Sequence, residues 1–288
     1  MNNIQLANGI QMPMTGFGVY RIKPGEDTKQ AVLQALKVGY RAIDTAAAYQ
    51  NEGDVAAAIR ESGIPREDLF ITSKLWLQDY GEAAAQKEID RILRVTGLGY
   101  FDLYLLHQPL ADYYGAWRGL EQAYREGKLR AIGVANFTPG ILLDLMMNSD
   151  IAPMVDQIEL HPFYQQTKNV QWLQAHHVVV ESWGPFVNGQ NDIFNNPTLT
   201  KIATTHDKTV AQIILAWLQQ RQIVIIPKSV HDERLRQNLA VEDIELTDAE
   251  MAAIKTLDTN HSAFDWNIMD DLNKPEMIKI LNDAHVHD

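Results

Sequence analysis

The chain of 288 residues contains no cysteine. That excludes disulfide staples, thiol nucleophiles and thiolate-bound metals, and it fits a cytosolic location. Long apolar runs are missing too. No stretch approaches the roughly 20 apolar residues that a membrane-spanning helix needs, so no membrane partner is expected. Residues 1–13 (MNNIQLANGIQMP) lack a basic segment followed by an apolar run, so no secretory leader is expected. Positive charge is scarce: 25 Lys and Arg face 37 Asp and Glu, a net charge of −12 with no block of like charge. That balance argues against nucleic acid as a partner. A site for an anionic ligand must therefore be local, and one segment qualifies, PKSVHDERLRQN at 227–238. Linkers rich in Pro, Gly and Ser are absent, so residues 1–288 are expected to form one domain.

The apolar fraction, 46%, is ample for a core. Strand-like runs at 15–20, 40–44, 69–73, 101–106, 129–134, 154–158, 178–183 and 223–226 alternate with amphipathic segments whose apolar residues recur every three or four positions. Gly39, Gly63, Gly97 and Gly127 read as helix ends, and Thr138-Pro139 as a helix start. Eight β-then-α units in this length predict a (β/α)8 TIM barrel, an α/β fold, over an open sheet. Three pieces lie outside the repeat. An N-terminal β-hairpin is expected with Asn8-Gly9 at its turn. An extra C-terminal helix spans 247–257, where Thr247 and Glu250 have capping-box spacing. A tail from His261 onward is expected over the barrel mouth.

Four residues then stand out. Asp44, Lys74 and His107 each close an apolar run, and Tyr49 follows Asp44 by five positions. A tyrosine alone, with a pKa of about 10, is a poor acid at neutral pH. An ammonium beside it favours the phenolate, so Lys74 is expected to make Tyr49 more acidic. Asp44 can balance the charge of Lys74, and His107 can bond a substrate oxygen. That chemistry suits carbonyl reduction. Taken singly, an ion pair of Asp44 with Lys74 and a satisfied core histidine would be ordinary structural features. A barrel, however, gathers its functional residues at the C-terminal ends of its strands. Asp44, Lys74, His107, Asn136, Gln157, Trp183 and Lys228 all fall at or just after predicted strand ends, although the strands were assigned from apolar runs and glycines.

The stretches GYRAIDTAAAYQNE, ITSKLW, DLYLLHQP, GKLRAIGVANF, QIELHP, ESWGPF and IPKSVHDERLRQN span nearly the whole chain, in an order and spacing that resembles the aldo-keto reductases. The last two look most like bacterial 2,5-diketo-D-gluconate reductases. The resemblance implies NADPH as cofactor, a small carbonyl substrate and a monomer. It makes Tyr49 the general acid, with Asp44, Lys74 and His107 completing a tetrad. Asn136 and Gln157 match the residues that hold the nicotinamide carboxamide, and Trp183 the aromatic that stacks on the ring. Lys228, Ser229 and Arg234 match positions that hold the 2′-phosphate, and Asn238 one near the adenine. Tyr20 and Trp76 match substrate-pocket walls, with Phe264 and Trp266 as weaker candidates. Ala135 departs from the pattern, since the family often carries a serine there, whose hydroxyl would bond the carboxamide.

Two rivals remain open. Lys74 could be the nucleophile of a Schiff-base aldolase on the same barrel, or the chain could be a cofactor-sensing subunit without catalysis. Ser229 with Asp232 reads as a helix start, which would turn helix amides toward a phosphate. Gly16-Phe17-Gly18 is read as a tight turn after the first strand, because Arg21 stands where a dinucleotide fingerprint needs glycine. His176-His177 is expected to cap a helix, and the terminal His285–Asp288 (HVHD) to be disordered, so no metal is expected.

Overall fold

The computed structural model describes residues 2–264 and 275–287. Strands β1 (Asn3–Gln5) and β2 (Gln11–Pro13) pair antiparallel, Asn3 opposite Pro13. Between them Leu6 O accepts from Gly9 N at 2.8 Å, and Gly9 has φ 88°. This three-residue loop ends in a left-handed glycine, so the expected Asn8-Gly9 turn is present in its bulged form.

Eight parallel strands follow: β3 (Phe17–Gly18), β4 (Ala42–Asp44), β5 (Phe70–Leu75), β6 (Leu103–Leu106), β7 (Ile132–Ala135), β8 (Val155–Glu159), β9 (Val179–Trp183) and β10 (Ile223–Ile225). Each pairs with the next in sequence. Thr15 bridges Ile225 in parallel, with Gly16 N donating to Ile225 O at 2.8 Å and Ile225 N to Met14 O at 3.0 Å. These bonds close the sheet into the expected (β/α)8 barrel. Helices α1 (Glu26–Val38), α2 (Glu52–Ser62), α3 (Glu82–Thr96), α4 (Tyr113–Arg125), α5 (Pro139–Met147) and α6 (Thr167–Ala175) fill the first six crossovers. The crossover from β9 to β10 carries two helices, α7 (Pro197–His206) and α8 (Val210–Gln220), and α9 (Asp232–Leu239) follows β10. Gly39, Gly63 and Gly97 stand at helix C-caps as the sequence predicts. The extra helix is α10 (Asp248–Lys255), with the Thr247–Glu250 capping box formed in both directions. Helix α11 (Pro275–Asp283) ends the chain, with Leu281 packed against Ala47, Trp76, Leu77 and Leu110.

One reading is corrected. Gly16-Phe17-Gly18 is no turn after the first strand: Phe17–Gly18 are the strand itself, with Gly16 directly before it. A Cβ on Gly18 would lie 2.8 Å from the carbonyl oxygen of Ile226, so glycine is needed because two backbones approach closely at the closing seam. Gly133 is confined in the same way: its Cβ would lie 2.5 Å from Val155 O and 2.8 Å from Leu105 Cδ2. Strand β8 cannot retreat from β7 without breaking the ladder. Gly133→Ala is therefore expected to destabilise the fold by about 1–3 kcal/mol, as overpacking does. Urea denaturation checks this, and an unchanged midpoint would show slack between β7 and β8.

Candidate active site

Lys74 is wholly buried, on β5. An ammonium carries three N–H donors, and each meets an acceptor. Nζ lies 2.6 Å from Asp44 Oδ1, 3.0 Å from Thr45 O and 3.4 Å from Tyr49 Oη. Asp44 closes β4, and Tyr49 sits in a single 3-10 turn, Ala47–Tyr49, directly beyond it. Burial pushes the Lys74 ammonium toward neutrality, but Asp44 and Tyr49 together more than restore it, so its pKa lies above the ordinary lysine value. Burial pushes the Tyr49 phenol up to about 12; Lys74 pulls it down and Asp44 opposes that pull. The expectation that Lys74 makes Tyr49 acidic is thus half right. The lysine acts in that direction, and desolvation outweighs it.

His107 follows β6 and touches Tyr49 edge-on, ring centroids 5.7 Å apart. Burial, followed by the Lys74 charge, holds its pKa well below the usual imidazole range. The ring is neutral at neutral pH, and its Nδ1 is buried without a partner among the described residues. An unpaired buried polar atom is costly, so this ring nitrogen is available to a ligand.

The two candidate amide residues are held by bonds that fix which way each faces. Asn136 has a left-handed backbone, φ 65°. Its Nδ2 donates to His107 O at 3.1 Å, and its Oδ1 accepts from Trp183 Nε1 at 2.8 Å. The other N–H of Asn136 meets no acceptor among the described residues. Gln157 lies in the middle of β8, and its Nε2 donates to Asp44 Oδ2 at 2.9 Å and to Glu181 Oε2 at 2.6 Å. Sequence reasoning missed Glu181, although a carboxylate inside the apolar run VVVESW is a signal in itself. Ala135 is fully buried beside Asn136, with no hydroxyl to offer.

Aromatic rings complete the site. Tyr20 lies tilted against Tyr49, ring centroids 5.0 Å apart, and Trp76 meets His107 edge-on at 5.2 Å. Phe264 lies 5.4 Å from Trp183. It is held there by Glu159, which accepts from Ser262 Oγ at 2.5 Å and from Ala263 N at 2.8 Å. Trp266 lies outside the described residues. The terminal segment is anchored rather than disordered, a second correction. Trp76 Nε1 donates to Ala284 O, Gln78 exchanges bonds with Val286 and His287, and His287 Nε2 lies 2.8 Å from Asp79 Oδ2. The donor atoms of Asp79, Glu88 and His287 lie within 4.8 Å of one another. Arg91 already pairs with both oxygens of Glu88, so a cation is in place there.

Of the expected residues, Asp44, Tyr49, Lys74, His107, Asn136, Gln157, Trp183, Tyr20 and Trp76 join in one set of hydrogen bonds and ring contacts. Lys228, Ser229, Arg234 and Asn238 make no contact with that set. They lie beyond the end of β10, where Gly18 N donates to Pro227 O at 3.4 Å. Two exposed cations of this segment, Lys228 and Arg234, have no ion-pair partner among the described residues, whereas Asp232 is taken by Arg236 and Gln34. Ser229 does not cap α9, which starts after His231; its Oγ accepts from His231 N at 3.1 Å and shapes the approach to the helix. Donor amide, acceptor amide, flat indole and free cations together fit a nicotinamide dinucleotide phosphate.

The family model of the aldo/keto reductase family matches residues 14–259. Glyoxal reductase of Bacillus subtilis is 42% identical over 257 residues, covering 89% of this chain and 92% of that protein. Methylglyoxal reductase DkgA of Yersinia pestis is 41% identical over 258 residues, covering 88% and 92%. The crystal structure of a Bombyx mori aldo-keto reductase in complex with NADP superposes with a TM-score of 0.88 at 35% identity, covering 94% of this chain and 97% of that one. An aldo-keto reductase from a Medee basin deep-sea metagenome gives 0.87 at 40% identity, covering 90% and 96%. The chain belongs to the aldo/keto reductase family and is an oxidoreductase.

The buried acid beside the tetrad predicts a pH effect. Burial, with Asp44 adding to it, raises Glu181 from 4.5 to about 8. Between those values the folded chain keeps a proton that the unfolded chain has lost. Its contribution to stability is therefore full below the unfolded value and is lost as the pH rises through the folded one. Glu181→Gln removes this titration. The melting temperature of the variant, relative to the parent chain, is expected to rise as pH goes from about 5 to about 9, and a constant difference across that range would refute the assignment.

Proposed function

We propose that this chain reduces an aldehyde or ketone to the alcohol with NADPH, Tyr49 acting as general acid. One observation carries the reading: a proton-loaded tyrosine lies between a charged, buried lysine and a neutral histidine. The relatives named for glyoxal and methylglyoxal make small dicarbonyl compounds the first substrates to try. The reading carries with it a single-domain, cytoplasmic monomer.

The residues divide the work as follows. Asn136 and Gln157 grip the ring amide, and Trp183 supplies the flat surface against the ring. Lys228, Ser229 and Arg234 take the 2′-phosphate by charge-assisted bonds, and Asn238 borders the adenine. Bound NADPH supplies the hydride that goes to the carbonyl carbon. Neutral His107 and protonated Tyr49 bond the carbonyl oxygen, so charge that develops there is stabilised. As the carbonyl π bond breaks, the Tyr49 proton passes to that oxygen. The phenolate left behind is stabilised by Lys74, whose own charge Asp44 maintains. Tyr20 and Trp76 wall the substrate pocket.

The aldolase alternative requires Lys74 as a free amine. Its three donors are all engaged and its pKa is raised, so the nucleophilic form is suppressed. Turnover of methylglyoxal would dispose of the non-catalytic alternative.

Tyr49→Phe is expected to lower turnover of methylglyoxal by about 10²–10⁴-fold. NADPH binding, read by quenching of tryptophan fluorescence, should survive. Full activity in this variant would sink the mechanism. Lys228→Ala and Arg234→Ala are each expected to weaken NADPH binding by about tenfold or more, the value of a charged hydrogen bond, and to leave NADH binding unchanged. Equal losses for both cofactors would move the phosphate site elsewhere.

A further inference from the structure

We infer that Glu181 is a positioning residue for the ring-amide site: with Asp44 it takes both N–H groups of Gln157, so that Gln157 meets the cofactor only as a hydrogen-bond acceptor. The inference rests on the cofactor reading above and specifies its chemistry.

A glutamine side chain has two donor hydrogens and one carbonyl, and it can present either end. In this barrel the choice is made by two acidic residues on opposite sides of one nitrogen. Asp44 Oδ2 is 2.9 Å from Gln157 Nε2 and Glu181 Oε2 is 2.6 Å from it. Turning the amide over would set its carbonyl oxygen against the Asp44 carboxylate, which pairs with Lys74 at 2.6 Å. Both donors are consumed, and Oε1 carries no bond from the described residues.

Glu181 is built for this contact. It is 1% exposed and stands directly opposite Gln157 in the register of β8 and β9. Its raised pKa makes it mostly a neutral acid at neutral pH, so it accepts from the amide without crowding Asp44 and Lys74 with a second full negative charge. Asn136 is complementary. His107 O and Trp183 Nε1 fix its amide, and one N–H remains. A carboxamide presents one carbonyl and one NH₂. The pair offers one donor and one acceptor, which discriminates a carboxamide from a ring substituent that lacks N–H.

The test is binding, read by tryptophan fluorescence quenching, of NADPH and of its 3-acetylpyridine analogue, in which a methyl replaces the NH₂. Leaving the Gln157 acceptor unpaired should make the parent chain bind the analogue about tenfold more weakly than NADPH. Glu181→Met, close in volume to glutamate, frees one Gln157 N–H while Asp44 keeps the other, so the amide can swing about that remaining bond and Oε1 is no longer held toward the cofactor. The preference is expected to fall below about threefold. Glu181→Gln keeps an acceptor oxygen and is expected to restore it. Glu181→Leu serves as the second variant without an acceptor should Glu181→Met not fold, with circular dichroism as the check. A purely structural role for Glu181 would weaken both ligands equally and leave the ratio alone. An unchanged preference in Glu181→Met or Glu181→Leu, or no preference in the parent chain, overturns the inference. Failure of the parent chain to bind either dinucleotide overturns the cofactor reading itself.

Discussion

The ammonium of Lys74 sits at 0% exposure inside the barrel, and the rest of the site is arranged around keeping it charged. A buried lysine without a partner neutralises. Asp44 prevents that, and the pair is fully desolvated, so removing either partner would leave an uncompensated charge at a cost of about 3–5 kcal/mol. The third Lys74 donor reaches Tyr49, and the second oxygen of Asp44 reaches Gln157. One ion pair thus holds both the proposed proton donor and the amide proposed to face the ring. The proton-transfer half and the cofactor half of the proposed site share Asp44.

Burial is the main reason that Tyr49 is not an acidic phenol at rest, and the shared Asp44 adds to it by opposing the pull of Lys74. Tyr49 therefore stays protonated across the whole neutral range, which a proton donor requires. The lysine matters at a different moment. It offsets part of the cost of the phenolate once the proton has left, and so lowers the barrier without loosening the proton in advance. An unscreened Lys74 would acidify Tyr49 more strongly and leave fewer molecules loaded.

How much of this was legible in the sequence follows from what local pattern encodes. The barrel was legible, because apolar runs and amphipathic segments alternate and each strand needs its own crossover. The grouping of Asp44, Tyr49, Lys74 and His107 was legible because several ionisable residues end different apolar runs, and a barrel brings those ends to one rim. Direction and partner were harder. Gln157 was read for its amide alone, and nothing local announces that Asp44, 113 positions earlier, would hold one of its hydrogens. Glu181 sits in an apolar run and was passed over, since strand period shows that a side chain points inward but not what it meets. Gly16-Phe17-Gly18 misled because glycine serves both turns and close backbone contact, and only the seam with Ile226 decides between them. Ser229 misled similarly, because its hydroxyl bonds a residue before the helix instead of the helix.

The terminal segment follows from the same limit. Its apolar residues are few and its histidines suggested a free end, yet backbone groups do the anchoring. Gln78 brackets the chain with both ends of its amide, and the Trp76 indole closes on a carbonyl. Backbone acceptors are present at every residue, so no composition signal precedes them. The consequence reaches the site: the ring that Ala284 orients is the ring that meets His107 edge-on. A proposed pocket wall is thereby fixed by residues more than 200 positions away in sequence. Changes in the last four described residues therefore act on the shape of the substrate pocket while leaving the Lys74–Asp44 pair, and with it the proton donor, untouched.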